Sequence, residues 1–259
     1  MTDLLNVVSA SDKRRNLMIL LTTGPKGWDT IKSELSVTSA GMIPQIRILE
    51  DARLITRVGS VYILTIVGYT VAAHLTSLTR TIALFERDLE FWDDHDLNVI
   101  PDDLLRDIAD LGNYQLLTVP DENLFDINPF LDNLRNSRII TGISHHCHPK
   151  FPQFFGALAE NGVKSSLVFT PAVFSLLTTK YPEFLKTYLA LPHAEMYVLK
   201  HDLKFSCAIT DSYFSMSLFY RNGAFDTKHD IVSRDPSAIR WGERLVDYYR
   251  RNSEKIESV

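Results

Sequence analysis

The sequence predicts an α+β winged helix-turn-helix domain over residues 1–68, a connecting helix over 69–100, and an α/β domain with a mixed sheet over 101–259. Three observations predict it. Apolar residues repeat at helical spacing three times before residue 55 and then change to strand spacing on either side of Gly59-Ser60. A long helical stripe follows, from Thr65 to about Phe91. Past Pro101 helical and strand patterns alternate, and after Leu189 strand patterns succeed one another.

The 259 residues carry 27 Lys and Arg against 32 Asp and Glu, a formal net charge of −5. With 45% hydrophobic and 23% charged residues the composition is that of a globular protein able to bury a core, not of a disordered chain. The first 80 residues hold nine basic and six acidic side chains, a net +3, which leaves −8 for the rest. That asymmetry suits a nucleic-acid-binding module joined to an acidic domain. The longest aliphatic run, Leu17 to Leu21, is far shorter than the roughly 18 residues a membrane span needs, so no membrane partner and a cytoplasmic location are expected. Two cysteines, Cys147 and Cys207, supply neither a disulfide framework nor a four-ligand zinc site.

The first helix starts at Ser11 or Asp12, either of which can cap free N–H groups, carries Leu17, Leu20 and Leu21, and stops at Gly24-Pro25. A second runs from Asp29 to Leu35 with Trp28, Ile31 and Leu35 on one side, and Ser36-Val37 turns the chain. Thr38-Ser39 caps the third, whose stripe Met42, Ile43, Ile46, Leu49 and Ala52 is expected in the core. Pro44 removes one backbone bond, so it should kink this helix or delay its start. Ile55–Val58 and Val61–Leu64 then read as a hairpin around Gly59-Ser60.

Three helices and a small hairpin make a winged helix-turn-helix, whose later helix enters the major groove of DNA. The stretches Ser11-Asp12-Lys13-Arg14-Arg15, Leu35-Ser36-Val37-Thr38-Ser39, Ile46-x-x-Leu49-Glu50-Asp51-x-x-Leu54-Ile55 and Leu64-Thr65-x-x-Gly68 resemble the ArsR/MarR-type winged helices of archaeal regulators. Lys13, Arg14 and Arg15 are candidates for phosphate contacts, against the alternative of an ordinary solvated helix start. Base reading is expected from Thr38, Ser39, Gln45 and Arg47, since Gln suits adenine and Arg suits guanine. Arg57, with Ser60 in the turn beside it, is placed to touch a groove or phosphate from the hairpin. The connecting stripe Val71, Leu75, Leu78, Ile82, Phe85 and Leu89 serves either the chain's own core or a homodimer seam, and a two-fold operator favours a dimer.

In the larger domain the expected order is helix 102–111, strand Tyr114–Val119, helix 122–136, strand Arg138–Ser144, helix 150–160, strand Lys164–Thr170 and helix 171–190. Strands Glu195–Lys200, Phe205–Thr210 and Phe214–Tyr220 follow, then a turn at Asn222-Gly223 and a last helix over Ser237–Arg251. Over its whole length the chain resembles the methanogenesis-regulator family of archaeal transcription factors, including methyltransferase-specific regulators. The stretches that carry the match are Phe91-Trp92-Asp93-x-His95-Asp96-Leu97-x-x-Ile100-Pro101, Leu111-Gly112-Asn113, Gly142-Ile143-Ser144 with His148-Pro149, Ser215-x-Ser217-Leu218-Phe219, and Ala238-x-x-Trp241-Gly242-Glu243-x-Leu245. The resemblance implies a regulator of methanogenesis genes, notably those for use of methylated substrates.

His145-His146-Cys147-His148 is rich in metal-ligand chemistry, but consecutive residues at a strand end point to alternate sides, so at most two of the four converge. No metal and no cofactor are expected. The string instead sits at the carboxyl end of a strand, where open α/β sheets collect ligands, and Ser144, His146, His148 and Thr170 are candidates for an effector pocket. The helix that follows His148-Pro149 could favour an anion there. Cys147 leaves redox control open. His201, Lys204 and Asp211 distantly resemble the His-x-Lys-x4-Asp motif of phospholipase D-like enzymes, but both spacings are too long for the residues to converge, so such a fold without catalysis is expected. The function read from the sequence is a sequence-specific DNA-binding regulator, with double-stranded DNA, a second copy of the chain, and a small-molecule effector or a sensor kinase as partners. The rival reading is a phospholipase D-like phosphodiesterase with a DNA-targeting module.

Overall fold

A computed structural model describes residues 3–120, 122 and 126–258. They fall into two units, Met1–Ala83 and Leu84–Val259. The first contains α1 (Leu4–Ser9), α2 (Asp12–Leu21), the short β1 (Lys26–Gly27), α3 (Trp28–Glu34), α4 (Ser39–Asp51), β2 (Ile55–Val58), β3 (Val61–Leu64) and most of α5 (Ile66–Arg87). The caps expected at its helix starts are present: Ser11 Oγ accepts the N–H of Arg14, and Thr38 Oγ1 accepts that of Gly41. Leu17, Met18, Ile31, Met42, Ile46 and Leu49 meet in one core. Ile43 does not join them. It is 41% exposed, because it lies about 100° round the helix from the Met42, Ile46 and Leu49 stripe.

Pro44 neither delays nor ends α4, which begins at Ser39 and continues to Asp51. The hydrogen bond it forgoes is the one to the carbonyl of Ala40, an exposed residue at which water can substitute. The hairpin forms with Val58 opposite Val61 and Gly59 at φ 59°, and β1 adds a third strand by pairing with β3. Two glycine-demanding contacts follow from tight packing. One is Gly68, where a Cβ would lie 1.7 Å from the carbonyl oxygen of Leu54, while Thr65 Oγ1 accepts the Gly68 N–H.

The second unit adds α6 (Leu89–Asp94), α7 (Asp102–Arg106), β4 (Gln115–Thr118), α8 (Asn128–Leu134), β5 (Ile139–Ser144), α9 (Phe151–Glu160), β6 (Lys164–Phe169), α10 (Pro171–Lys180) and α11 (Pro182–Leu189). It ends with β7 (Ala194–Leu199), β8 (Phe205–Thr210), β9 (Phe214–Leu218), β10 (His229–Ser233), α12 (Pro236–Arg251) and β11 (Ser253–Ile256). The eight strands form one mixed sheet in the order β11-β7-β6-β5-β8-β9-β10-β4, with β5, β6 and β7 parallel and the other neighbours antiparallel.

Several boundaries differ from those expected. The connecting helix ends at Arg87 and Leu89 opens α6, because Asp88 leaves helical geometry and its carboxylate accepts the hydroxyl of Tyr114 at 2.7 Å. The helix expected over 102–111 becomes α7 followed by a 3₁₀ turn, Ile108–Leu111. The one expected over 171–190 is split at Tyr181, which precedes Pro182 and so avoids the helical region. Of the helix expected over 122–136 the structure gives Asn128–Leu134, while residues 121 and 123–125 lie outside the described residues. Strands β10 and β11 carry no alternation strong enough to be read from sequence.

One face of the sheet packs on α12: Phe205, Cys207 and Ile209 of β8 and Phe214 and Met216 of β9 share a core with Trp241. Side chains alternate along a strand, so Ser206 and Ala208 of β8 and Ser215 and Ser217 of β9 point to the opposite face. That face is covered by α8 to α11, whose apolar residues cluster with Leu167 and Phe169 of β6 and with Ile140 and Ala208.

Candidate functional site

Between the sheet and these helices lies a cavity of 470 Å³. It exists because the strands carry small residues here: Gly142 of β5 stands opposite Ala208 of β8, and both line it. Gly142 is the second position where a side chain is refused, since a Cβ would come within 2.7 Å of the Cys207 carbonyl oxygen. The walls are aromatic, with Phe130 of α8, Phe151 and Phe155 of α9, Phe169, Phe184 and Phe225. The floor carries a polar strip from four neighbouring strands: Ser144, Ser206, Ser215, Ser217 and Asp230.

Two carboxylates at the floor have different surroundings. Asp226 is 2% exposed and saturated: its oxygens lie 3.0 Å from His95 Nε2 and 2.8 Å from His229 Nδ1 and accept the backbone N–H groups of Lys228 and His229. Burial alone would raise its pKa, but the Lys228 N–H and His229 outweigh it and hold the carboxyl below the usual range. His95 is itself fixed from behind, with Nδ1 2.6 Å from the Phe91 carbonyl and its ring between those of Phe91 and Tyr220. Among the described residues, Asp230 accepts the hydroxyls of Ser215 and Ser217, each at 2.9 Å. Burial pushes its pKa up to about 6, against those two hydrogen bonds and with help from the negative charge of Asp226.

The histidine string forms part of the rim. His145 Nδ1 lies 2.7 Å from Ser206 Oγ, and its ring packs 4.3 Å from that of Phe225. Burial, then the neighbouring His146, lowers its pKa to about 4, so it is neutral near pH 7. His146 is lowered too, by burial and then by His148. Of the expected effector residues, Ser144, His146 and His148 line the cavity. Ser144 Oγ donates to the His146 carbonyl at 2.6 Å, and His148 Nδ1 accepts the Lys150 N–H. Thr170 lies elsewhere: it is 1% exposed, lines no part of the cavity, and caps α10 by accepting the Val173 N–H. Sequence reading missed Ser206, Ser215, Ser217 and Asp230. The alternation of serines with large apolar residues along β8 and β9 was the available signal for the first three. Among the described residues no Lys or Arg lines the cavity, which removes the electrostatic basis for an anion there.

In the first unit Lys13, Thr38, Ser39, Arg47, Arg57 and Ser60 are exposed. Arg14 and Gln45 hold each other: Arg14 Nη1 donates to Gln45 Oε1 at 2.7 Å and Nε donates to the Val7 carbonyl. Arg15 pairs with Asp12 at 2.6 Å, and Arg57 Nε donates to the Gly59 carbonyl within its own hairpin. His201 and Lys204 precede β8 whereas Asp211 follows it and accepts the N–H groups of Arg138. A six-residue strand, roughly 20 Å long, separates them.

Residues 2–83 match the N-terminal domain of the methanogenesis regulatory protein FilR1, and residues 126–252 match the middle domain of the same protein. The chain belongs to the FilR1 family. The FilR1 protein of Methanothrix harundinacea (strain 6Ac) is 22% identical over 258 residues, which cover 97% of this chain and 57% of that protein. The chain therefore spans little more than half the length of this curated relative. Among solved structures, the archaeal chromatin protein TrmBL2 superposes with a TM-score of 0.45 at 12% identity, over 92% of this chain and 91% of that one. The phospholipase D family member Nuc from Salmonella typhimurium does so with a TM-score of 0.38 at 12% identity, over 56% of this chain and 99% of its own. Likenesses this low fix neither fold nor function. In FilR1 terms, the polar floor of the cavity, Ser144 through Asp230, lies wholly within the family's middle domain, and α2 through α4 lie within its N-terminal domain.

Proposed function

We propose that the chain is a DNA-binding transcriptional regulator of methanogenesis genes, in which the Leu84–Val259 unit senses a small molecule. The observation that carries this reading is the match of both its parts to the domains of a methanogenesis regulatory protein. The layout of the first unit supports it, since α2 to α4 with the β2–β3 hairpin have the order and strand pairing of a winged helix-turn-helix. In this reading Thr38, Ser39 and Arg47 face the major groove from α4 and its cap, Lys13 and Arg15 face phosphates, and Arg57 and Ser60 ride on the wing. Gln45 reads a base only if it releases Arg14, so Arg47 carries more of the discrimination. The protein works as a homodimer through α5. An effector shifts DNA occupancy only by binding two arrangements of the dimer unequally. It is not an enzyme, and the separation of His201 and Lys204 from Asp211 supports that part of the reading.

The test is a salt series of gel shifts on the promoter upstream of its own gene, against shuffled DNA, with wild type and Arg47→Ala/Arg57→Ala. Preferential binding lost in the double variant is expected; equal weak binding to both DNAs would return the rival enzyme to consideration. Hydrolysis of bis(p-nitrophenyl) phosphate that disappears in His201→Ala would establish that rival.

A further inference from the structure

We propose that the cavity takes an organic cation, an ammonium group with an apolar body, whose N–H groups are accepted by Asp230 and whose body lies against Phe151, Phe155 and Phe225. This rests on the reading of the cavity as the regulator's effector site and names the chemical class it selects. The charge of the lining comes first. Among the described residues it contains Asp126, Asp226 and Asp230 and no Lys or Arg, and its histidines His145 and His146 are held towards the neutral form. An anion entering this space would meet carboxylates with nothing to offset them. The accounting of acceptors then separates the carboxylates. A carboxylate offers about four lone-pair sites. Asp226 is met by four donors or ring nitrogens and has none to spare. Asp230 lines the cavity and, among the described residues, is met by two hydroxyls, which leaves about half of its acceptor capacity for a ligand.

The walls supply the rest of the selectivity. Aromatic faces attract a cation through the ring quadrupole and bury an alkyl or aryl body, and six phenylalanines line a space of 470 Å³. That volume lies in the range of small-ligand sites. A neutral polyol could also donate to Asp230 and the serine strip, but it would gain no charge attraction from the carboxylate or the ring faces and would leave the aromatic walls to pack against hydroxyl groups.

The experiment compares three probes of one shape and different charge, benzylammonium, benzyl alcohol and benzoate, by calorimetric titration of the full chain at pH 7.5. Benzylammonium is expected to bind at least ~10-fold tighter than benzoate, and Asp230→Asn to weaken it by about 10-fold or more, the usual cost of losing a charged hydrogen bond, with little change for benzyl alcohol. Benzoate binding as tightly as benzylammonium, benzylammonium affinity unchanged in Asp230→Asn, or no binding by any probe would overturn the proposal. Benzyl alcohol favoured over benzylammonium would assign the site to neutral ligands and overturn it equally. Should Asp230→Asn not fold, the ranking of probes on the wild type decides alone. Gel shifts on the same preparations separate the two readings: intact DNA binding without a preference for the amine removes only the cation, whereas amine binding without DNA affinity removes the regulator.

Discussion

Asp226 and Asp230 lie four residues apart and have opposite effects on stability. An acid whose folded pKa is raised contributes stability that is fully present below its unfolded value and is lost as pH rises through the folded one. For Asp230 that window runs from about 4 to about 6, and the cost near neutrality is up to about 3 kcal/mol. His145 works the other way, since its lowered pKa makes the fold lose stability as pH falls from about 6.5 towards 4. The difference between wild type and Asp230→Asn isolates the carboxyl: the variant should be more stable above pH 6 and equal to wild type near pH 4 in urea melts. A variant less stable at pH 7.5 would contradict this account. Gly68→Ala drives a methyl into the Leu54 carbonyl and should cost about 3 kcal/mol or more, read in the same melts. Burial raises the thiol pKa of Cys147 and pushes that of Cys207 to about 12, so both should react with iodoacetamide at pH 7.5 more slowly than glutathione. Redox control through Cys147 is disfavoured on that ground.

Along α5, Val67, Leu78 and Ile82 fall on one stripe and are 50%, 56% and 46% exposed. Among the described residues neither core cluster uses them, which is why the proposed dimer is placed there. Leu78→Glu with Ile82→Glu should leave the circular dichroism and melting of the chain nearly unchanged, because the sites are exposed, while light scattering reports a monomer and DNA affinity falls. A wild type that is already monomeric at micromolar concentration would remove the dimer. The helix breaks are decided at this scale too. Tyr181 yields to Pro182, a local rule visible in sequence. Asp88 leaves the helix together with its bonds to Tyr114 and Arg87, and Tyr114 is 26 residues away and beyond any local rule.

At the scale of the molecule, charge and topology carry the remaining expectations. If Lys13, Arg15 and Arg57 of each protomer meet phosphates, a dimer neutralises about six, and log affinity against log salt should fall with a slope of about −5. A slope near zero in fluorescence anisotropy would exclude the proposed interface. The sequence by itself determined the helix-and-hairpin order of the first unit and the mixed α/β character of the second, the helix caps at Ser11 and Thr38, the buried Met42, Ile46 and Leu49 of α4 and the strand-end position of the histidine string. All of these depend on periodicity and on contacts within a few residues, which are written locally. Tertiary structure alone decided that Ser144, Ser206, Ser215, Ser217 and Asp230 share a floor, because they come from four strands aligned by long-range pairing. It also decided that Arg14 occupies Gln45 from 31 residues away, and that Thr170 serves as a cap. A strand's alternation states that one face is polar; which other faces it meets depends on register, and register is a property of the assembled sheet.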